Sequence, residues 1–369
     1  MLIVLVGPTA VGKTEVAISL AKRIKPVRCA GHGTGGGEII CADSRQIYKY
    51  MDIGTAKPTL KQRKEVPHHL FNLIEPDKDF SVAEYKTLAE GKIFQIQNKG
   101  KIPLLVGGTG LYIKAVTNGL SLGSVGADWG KRKKLEEEAK KFGNAYLYNR
   151  LRKVDPLAAD KFSVNDLRRI IRALEVYELT GKPISSFYKK SKAQGESPNV
   201  KAQMSNQIQS PNVKTDSEGK YLTLFFGLTC PREQLYAKIN QRVDLMIKSG
   251  LIDEVKRLLS LGYKEDLNSM QAVGYRQIAS YLRGDLSLSE AVRKISQDTR
   301  RYAKRQLTWF RQDKRIFWVE VEGRRVEEVV EEIEDWKRSQ EVKVLWEASP
   351  DADYPCLCES RERSGDLSH

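Results

Sequence analysis

A chain of 369 residues can hold a sizeable core and more than one domain, and 40% hydrophobic with 30% charged residues suits a soluble globular protein. A net charge of +15 and a pI near 9.4 favour a polyanionic partner, with nucleic acid first, although a merely basic surface would look the same. The cysteines at 29, 41, 230, 356 and 358 lack zinc spacing and fit a reduced, cytoplasmic setting, and the opening apolar run is too short for a signal peptide or a membrane span.

That run, Leu2-Ile-Val-Leu-Val6, passes directly into Gly7-Pro8-Thr9-Ala10-Val11-Gly12-Lys13-Thr14 and then into a helix-forming segment through Lys22. Strand, glycine-rich loop and helix form the context that a G-x-x-x-x-G-K-[ST] phosphate loop requires. Gly7 and Gly12 let the backbone N–H groups approach a phosphate, and the helix adds its positive dipole end. Lys13 supplies a mobile charge and the Thr14 hydroxyl a Mg²⁺ ligand. A diphosphate-bearing ligand is expected here, and the loop alone does not say which.

Residues 26–37, with Cys29, His32 and a glycine run, lack a second ligand pair and a following helix, so they read as a flexible insertion rather than a metal site or second phosphate loop. The second strand is expected over Glu38-Ile-Ile-Cys-Ala42. It delivers Asp43-Ser44-Arg45-Gln46 to the carboxyl edge of an open α/β sheet, where ligands bind. Asp43 is therefore a candidate general base or metal-shell ligand, and a turn-capping aspartate is the plainer reading. Tyr48 through Pro58 reads as a loop, and Pro67-His68-His69-Leu70 as a loop shaping the site, since adjacent histidines rarely share a ligand face. Ser81-Val-Ala-Glu84 is a capping box that opens a helix to about Gln97. The third strand, Lys101 to Val106, runs into Gly107-Gly108-Thr109-Gly110, where a phosphoryl-transfer enzyme would usually carry a Walker B aspartate. Its absence speaks against a kinase only weakly, because Asp43 is a possible stand-in.

Residues 127–152 read as exposed helices. An amphipathic helix over Asn165 to Leu179 stops at Gly181-Lys-Pro183 and carries Arg168, Arg169 and Arg172 at three- to four-residue spacing, a ridge suited to a phosphate backbone. Residues 192–220 repeat Ser-Pro-Asn-Val-Lys and are low in complexity, so disorder is expected. Tyr221 to Leu228 returns the chain to the sheet. Helices from Pro231, carrying Arg242, and from Ile252 lead to the junction Gln271-Ala-Val-Gly274-Tyr275-Arg276. A strongly basic helix from about Leu288 to Arg315 interleaves Tyr302, Trp309 and Phe310 with arginines and lysines. It reads equally as an RNA-stacking surface and as an aromatic core face beneath a solvated one. A last strand at 316–319, an acidic helix to about Lys337 and a tail complete the chain.

Taken together, in this order, these motifs resemble the tRNA dimethylallyltransferase (IPP transferase) family over Met1 to about Lys337, apart from the two insertions. The resemblance implies an α/β fold: a P-loop NTPase-like parallel-sheet core over 1–114 and 221–338 and an inserted all-helical tRNA-binding domain over 115–191; residues 339–369 lie outside the resemblance and read as a disordered tail. It implies transfer of a dimethylallyl group from dimethylallyl diphosphate to N6 of the adenosine 3′ of the anticodon, in tRNAs reading codons that begin with U, with Mg²⁺ as cofactor. Asp43 then matches the base at the adenine amine. Lys13, Thr14 and Arg242 match groups holding the diphosphate and its metal, and Thr109 matches a residue lining the channel for the base. The implied contacts to the tRNA anticodon stem-loop are Asp43, Ser44, Arg45, Gln46, Thr109, Arg132, Arg168, Arg169, Ile170, Ile171, Arg172, Gln271, Gly274, Tyr275, Arg276, Lys304, Arg305, Gln306, Trp309 and Arg311. A small-molecule or nucleotide kinase, a prenyltransferase of free adenine nucleotides and a non-catalytic RNA-binding protein are the competing readings. Nothing in the sequence demands more than a monomer.

Overall fold

The computed structural model describes residues 1–24, 36–118, 125–187, 214–215 and 222–348. Its frame is set by β1 (Leu2–Val6), whose five side chains are all fully buried. Alternation sends Leu2, Val4 and Val6 into one hydrophobic core and Ile3 and Leu5 into the other, so both faces of the strand are covered. Around it lie β2 (Gly37–Cys41), β3 (His68–His69), β4 (Ile102–Gly107), β5 (Lys214–Thr215), β6 (Leu222–Thr229) and β7 (Ile316–Glu320). Among the described residues they form one seven-stranded sheet in the order β3-β2-β4-β1-β6-β5, with β7 also paired to β6. Every pairing is parallel except β5 with β6.

Several boundaries depart from the sequence reading. Gly37, assigned to an insertion, pairs with Ile102 as the first residue of β2, because only a residue without Cβ fits between Leu104 and the Ile102 carbonyl; residues 25–35 lie outside the described residues. His68 and His69, read as loop, add an edge strand to β2 through Ile39 and Ile40. Within 192–220, Lys214 and Thr215 pair antiparallel with Thr223 and Leu222, and the rest of that stretch lies outside the described residues, as does the tail beyond 348. The acidic helix does not stop near Lys337: it spans Val326–Ala348.

The helices follow from local signals. α1 (Lys13–Arg23) starts directly from the glycine loop, and after α2 (Leu60–Glu65), α3 (Val82–Asn98) opens on the expected capping box, Ser81 N–H donating to Glu84 Oε2 at 2.8 Å. α4 (Gly110–Thr117) buries Tyr112, Ile113 and Val116 in the main core, so the core domain extends past residue 114. α5 (Trp129–Phe142), α6 (Asn144–Val154), α7 (Pro156–Ala159) and α8 (Leu167–Thr180) enclose a separate hydrophobic cluster around Leu135, Leu147, Leu151, Ile170 and Leu174. Gly181 closes α8 at φ +66°, the left-handed cap its sequence promised. The chain then returns through α9 (Arg232–Lys248), α10 (Leu251–Ser260), α11 (Tyr275–Leu282), α12 (Leu288–Phe310) and α13 (Val326–Ala348).

One buried carboxylate fastens the loop after β2. Glu254 of α10 accepts the N–H groups of Asp52 and Ile53 at 2.9 and 2.8 Å and of Gly54 at 3.1 Å, and Tyr275 donates its hydroxyl at 2.6 Å. The buried Lys57 ammonium fills the inside of the same loop, donating to Tyr48 O, Asp52 Oδ1 and Asn72 Oδ1. Glu254→Ala removes the acceptor of four donors, and with each buried unsatisfied group costing about 1–3 kcal/mol, a loss of roughly 3 kcal/mol or more is expected in urea unfolding. An unchanged midpoint and slope would show that water replaces the carboxylate freely.

Candidate active site

The order of the strands decides which loops meet. β4 lies between β1 and β2, so the loops leaving the carboxyl ends of these three neighbours share one edge of the sheet. They are the phosphate loop, the Asp43 turn and residues 108–110. Two close approaches hold them together. Gly107 passes so near the Ala42 backbone that a Cβ would overlap it, and Thr109 N–H donates to Ala42 O at 3.1 Å. Gly12 turns at φ +100° to aim the first turn of α1 back at the loop.

A cleft of about 730 Å³ opens at this edge and is lined by Thr9, Ala10, Gly12, Lys13, Thr14, Asp43, Gln46, Arg242 and Gln306 among the residues singled out from sequence. Lys13 Nζ donates to the carbonyls of Gly7 and Pro8 at 3.0 and 2.7 Å, and Arg242 reaches across from α9 to donate to Thr9 Oγ1 at 3.1 Å. Burial, then the neighbouring Arg242 guanidinium, lower the Lys13 ammonium from its usual range to about 7, against the opposing charges of Asp43 and Glu15. These two cationic groups, with Asp43 and Glu15 as the nearby opposing charges, make a site suited to a multiply charged anion.

Asp43 makes the turn-capping bond of the plainer reading and also lines the cleft. Its Oδ1 accepts Arg45 N–H at 2.8 Å, a turn-capping bond, while no described residue bonds its other oxygen, and the carboxylate lines the same cleft as Lys13. The turn is fixed on both sides. Ser44 N–H donates to Thr109 Oγ1 at 3.0 Å, Arg45 Nη1 donates to Asn268 O at 2.6 Å, and Gln46 Nε2 donates to the Thr55 and Ala56 carbonyls. Burial, followed by the Asp43 charge, pushes the Tyr302 phenol of α12 well up, so it stays neutral.

For a cation, the described residues offer no cluster of three or more His, Cys, Asp or Glu side chains. Mg²⁺ does not need one: it keeps several waters and is commonly held by one or two protein oxygens together with substrate phosphates. The Thr14 hydroxyl, with the Asp43 carboxylate in the same cleft, fits that mode.

Cys41, read from sequence only as part of the second strand, also lines the cleft, as does His68 of the segment read as shaping the site. Cys41 donates its thiol to Gln46 Oε1 at 3.2 Å. His68 bonds Val66 O through Nδ1 at 2.7 Å, and its Nε2 is buried without a partner among the described residues. Burial lowers the imidazole below its usual range, so it presents a neutral nitrogen to the cleft. The signal was present in the histidine pair but could not be weighed without knowing that β3 borders β2.

The remaining residues lie away from the cleft. On the core domain, Arg293, Lys294, Arg301, Lys304, Arg305 and Arg311 are exposed and Trp309 is 43% exposed. Arg300 and Arg315 are not part of this basic face: Arg300 bonds Asn240, and Arg315 bonds Asp313 and Asn118 and stacks over Phe225. The helix also ends at Phe310, short of the expected Arg315. Gln271 and Arg276 are exposed, whereas Tyr275 is buried on Glu254 and Gly274 forms the cap of α11. In the helical domain Arg168 and Arg169 are exposed, but Ile170 and Ile171 belong to the hydrophobic cluster. Arg132 and Arg172 both grip the buried Glu175, at 3.0 and 2.6 Å.

Comparison with known proteins agrees with this geometry. The IPP transferase family model matches residues 46–313. A protein of Carboxydothermus hydrogenoformans named tRNA dimethylallyltransferase is 47% identical over 332 residues, covering 90% of this chain and 96% of its own. The crystal structure of the tRNA isopentenylpyrophosphate transferase of Bacillus halodurans superposes with a TM-score of 0.63 at 38% identity, covering 94% of this chain and 99% of the other. A eukaryotic dimethylallyltransferase captured acting on tRNA superposes with a TM-score of 0.65 at 26% identity, covering 86% and 73%. With its phosphate loop, facing carboxylate and helical insertion all in place along this length of sequence, the chain belongs to the IPP transferase family.

Proposed function

We propose that this chain is a tRNA dimethylallyltransferase that moves the dimethylallyl group of dimethylallyl diphosphate to N6 of the adenosine 3′ of the anticodon, releasing diphosphate. The observation that carries the reading is that one cleft brings Lys13 of the phosphate loop and Arg242 of α9 together with a carboxylate that has one oxygen no described residue bonds. An adenine amine is a poor nucleophile because its lone pair is delocalised into the ring. Asp43 accepts a proton from N6 as the N6–C1 bond forms and the C1–O bond to diphosphate breaks. Lys13, Arg242 and the loop N–H groups neutralise the charge that grows on the departing oxygens. Mg²⁺ bound at Thr14 would add a fixed positive charge on the diphosphate. The base must leave its stack to reach Asp43, and the exposed arginines, lysines and Trp309 along α12 supply phosphate contacts and a stacking face for the RNA. No described helix is long and apolar enough to cross a membrane. A monomer working in the cytoplasm suffices for this reaction.

The direct test incubates the enzyme with dimethylallyl diphosphate, Mg²⁺ and unmodified tRNA, and measures the mass of the digested nucleosides. A gain of one prenyl group on adenosine is expected; transfer of phosphate from ATP instead, with no prenyl product, would overturn the proposal.

Asp43→Asn keeps the Arg45 cap but removes the base, so kcat should fall by about 10²–10⁴ while tRNA affinity changes only a few-fold. A large loss of affinity in a gel-shift or anisotropy titration would make Asp43 a docking group. Lys304→Ala should weaken binding to all tRNAs alike and reduce the slope of log K against log salt by about 1.

Lys13 predicts a proton linkage. Above pH 7 it is largely neutral in the cleft, and a bound diphosphate, by favouring the charged form, draws a proton back. Calorimetry in buffers of different ionisation heat should show proton uptake when inorganic diphosphate binds above that pH, with affinity falling as pH rises. Lys13→Met should abolish this component, and equal uptake by both proteins would refute it.

A further inference from the structure

Glutamine is seldom fully buried, yet Gln306 of α12 is only 5% exposed. Both ends of its amide are used. Oε1 accepts the Thr9 N–H at 2.8 Å, and Nε2 donates to Gly108 O at 3.0 Å. A single side chain thus spans the phosphate loop after β1 and the loop after β4. The fit is tight: a Cβ at Gly108 would overlap the Gln306 amide nitrogen, and one at Gly110 would overlap the Trp309 indole. Residues 306 and 309 of α12 thus dock together on residues 108–110, with Tyr302 one turn before Gln306 on the same face of the helix. Lys304 and Arg305 of the same helix are exposed.

The two loops carry the two halves of the chemistry. Thr9 accepts Arg242 through its hydroxyl and belongs to the cradle for the leaving group, while Thr109 fixes the Ser44 amide and through it the Asp43 turn. We infer that Gln306 is a positioning residue for prenyl transfer rather than a contact to RNA: its amide sets the span between the diphosphate cradle and the carboxylate that receives the amine proton. The inference rests on the proposed function. Misplacing reacting groups by about 1 Å can cost on the order of 10²-fold in rate, so a tie of this kind should register in kcat.

Gln306→Met keeps the volume and removes both hydrogen bonds. Expected are a fall in kcat of at least about tenfold, a raised KM for dimethylallyl diphosphate and a tRNA Kd within about threefold of wild type, in a protein whose melting curve remains cooperative. Gln306→Glu supplies a second reading. As a carboxylate it can serve Thr9 but repels the Gly108 carbonyl, whereas the neutral acid restores both bonds. Its activity relative to wild type should therefore recover as pH is lowered from about 8 to about 6. Gly108→Ala displaces the same amide, and combined with Gln306→Met it should cost less than the sum of the separate losses. An unchanged kcat with tRNA affinity lost in proportion would make Gln306 an RNA contact and overturn the inference, as would full activity in Gln306→Met. Should that variant not fold, a pH profile of Gln306→Glu parallel to wild type overturns it equally. If wild type itself makes no prenyladenosine, the proposed function fails; the tie is then read separately by titrating inorganic diphosphate, whose binding Gln306→Met should weaken and which unchanged binding would refute.

Discussion

Two opposite charges, beyond the ends of the strands that flank β4, govern this molecule. Lys13, reinforced by Arg242, and Asp43 line one cleft, and the Asp43 charge opposes the lowering of the Lys13 ammonium by burial. If they touched directly they would form an ion pair and neutralise the site. Here Lys13 is tied to its own loop carbonyls and Asp43 to the Arg45 amide, so both retain capacity for a ligand that is anionic at one end and a proton donor at the other. The rest of the core serves to keep that spacing fixed.

The support is layered. Inside the sheet, Gly107 lets β4 run against Ala42, which sets how closely the Asp43 turn approaches the loop after β4. Beneath, Glu254 and Lys57 freeze the loop of residues 52–57, whose carbonyls at 55 and 56 hold Gln46 in the cleft wall. Above, α12 lays one face across residues 108–110 while exposing several cationic side chains. Its aromatic residues divide between the two roles the sequence left open: Phe310 is in the core, and Trp309 is partly in the open. A polyanion drawn to this helix therefore meets an element already packed on the reactive loops.

The helical domain makes the same point about arginine. From spacing alone, Arg168, Arg169 and Arg172 formed one ridge. In the fold Arg172 turns inward with Arg132 onto Glu175, a carboxylate with no exposure that also accepts the Asp128 amide. Removing Glu175 would take from two partly buried arginines the carboxylate they share, which is a costly change. The outward face is left to Arg168 and Arg169. Helical periodicity specifies which residues share a side but not which of them a buried acid will claim.

Local physics made much of this chain legible in advance. The phosphate loop, the capping box at Ser81, the stop at Gly181 and the apolar run of β1 each depend on a few adjacent residues, and each stands where the sequence placed it. Asp43 was readable for the same reason, since a carboxylate ending a strand of an open sheet has few other places to be. What required the tertiary structure was every pairing between distant segments. That β3 borders β2 and brings His68 to the cleft, that Glu175 captures two arginines and that Gln306 faces Thr9 across nearly the whole chain are matters of strand order and helix docking. Those are fixed by burial summed over the fold, and no window of neighbouring residues contains that sum.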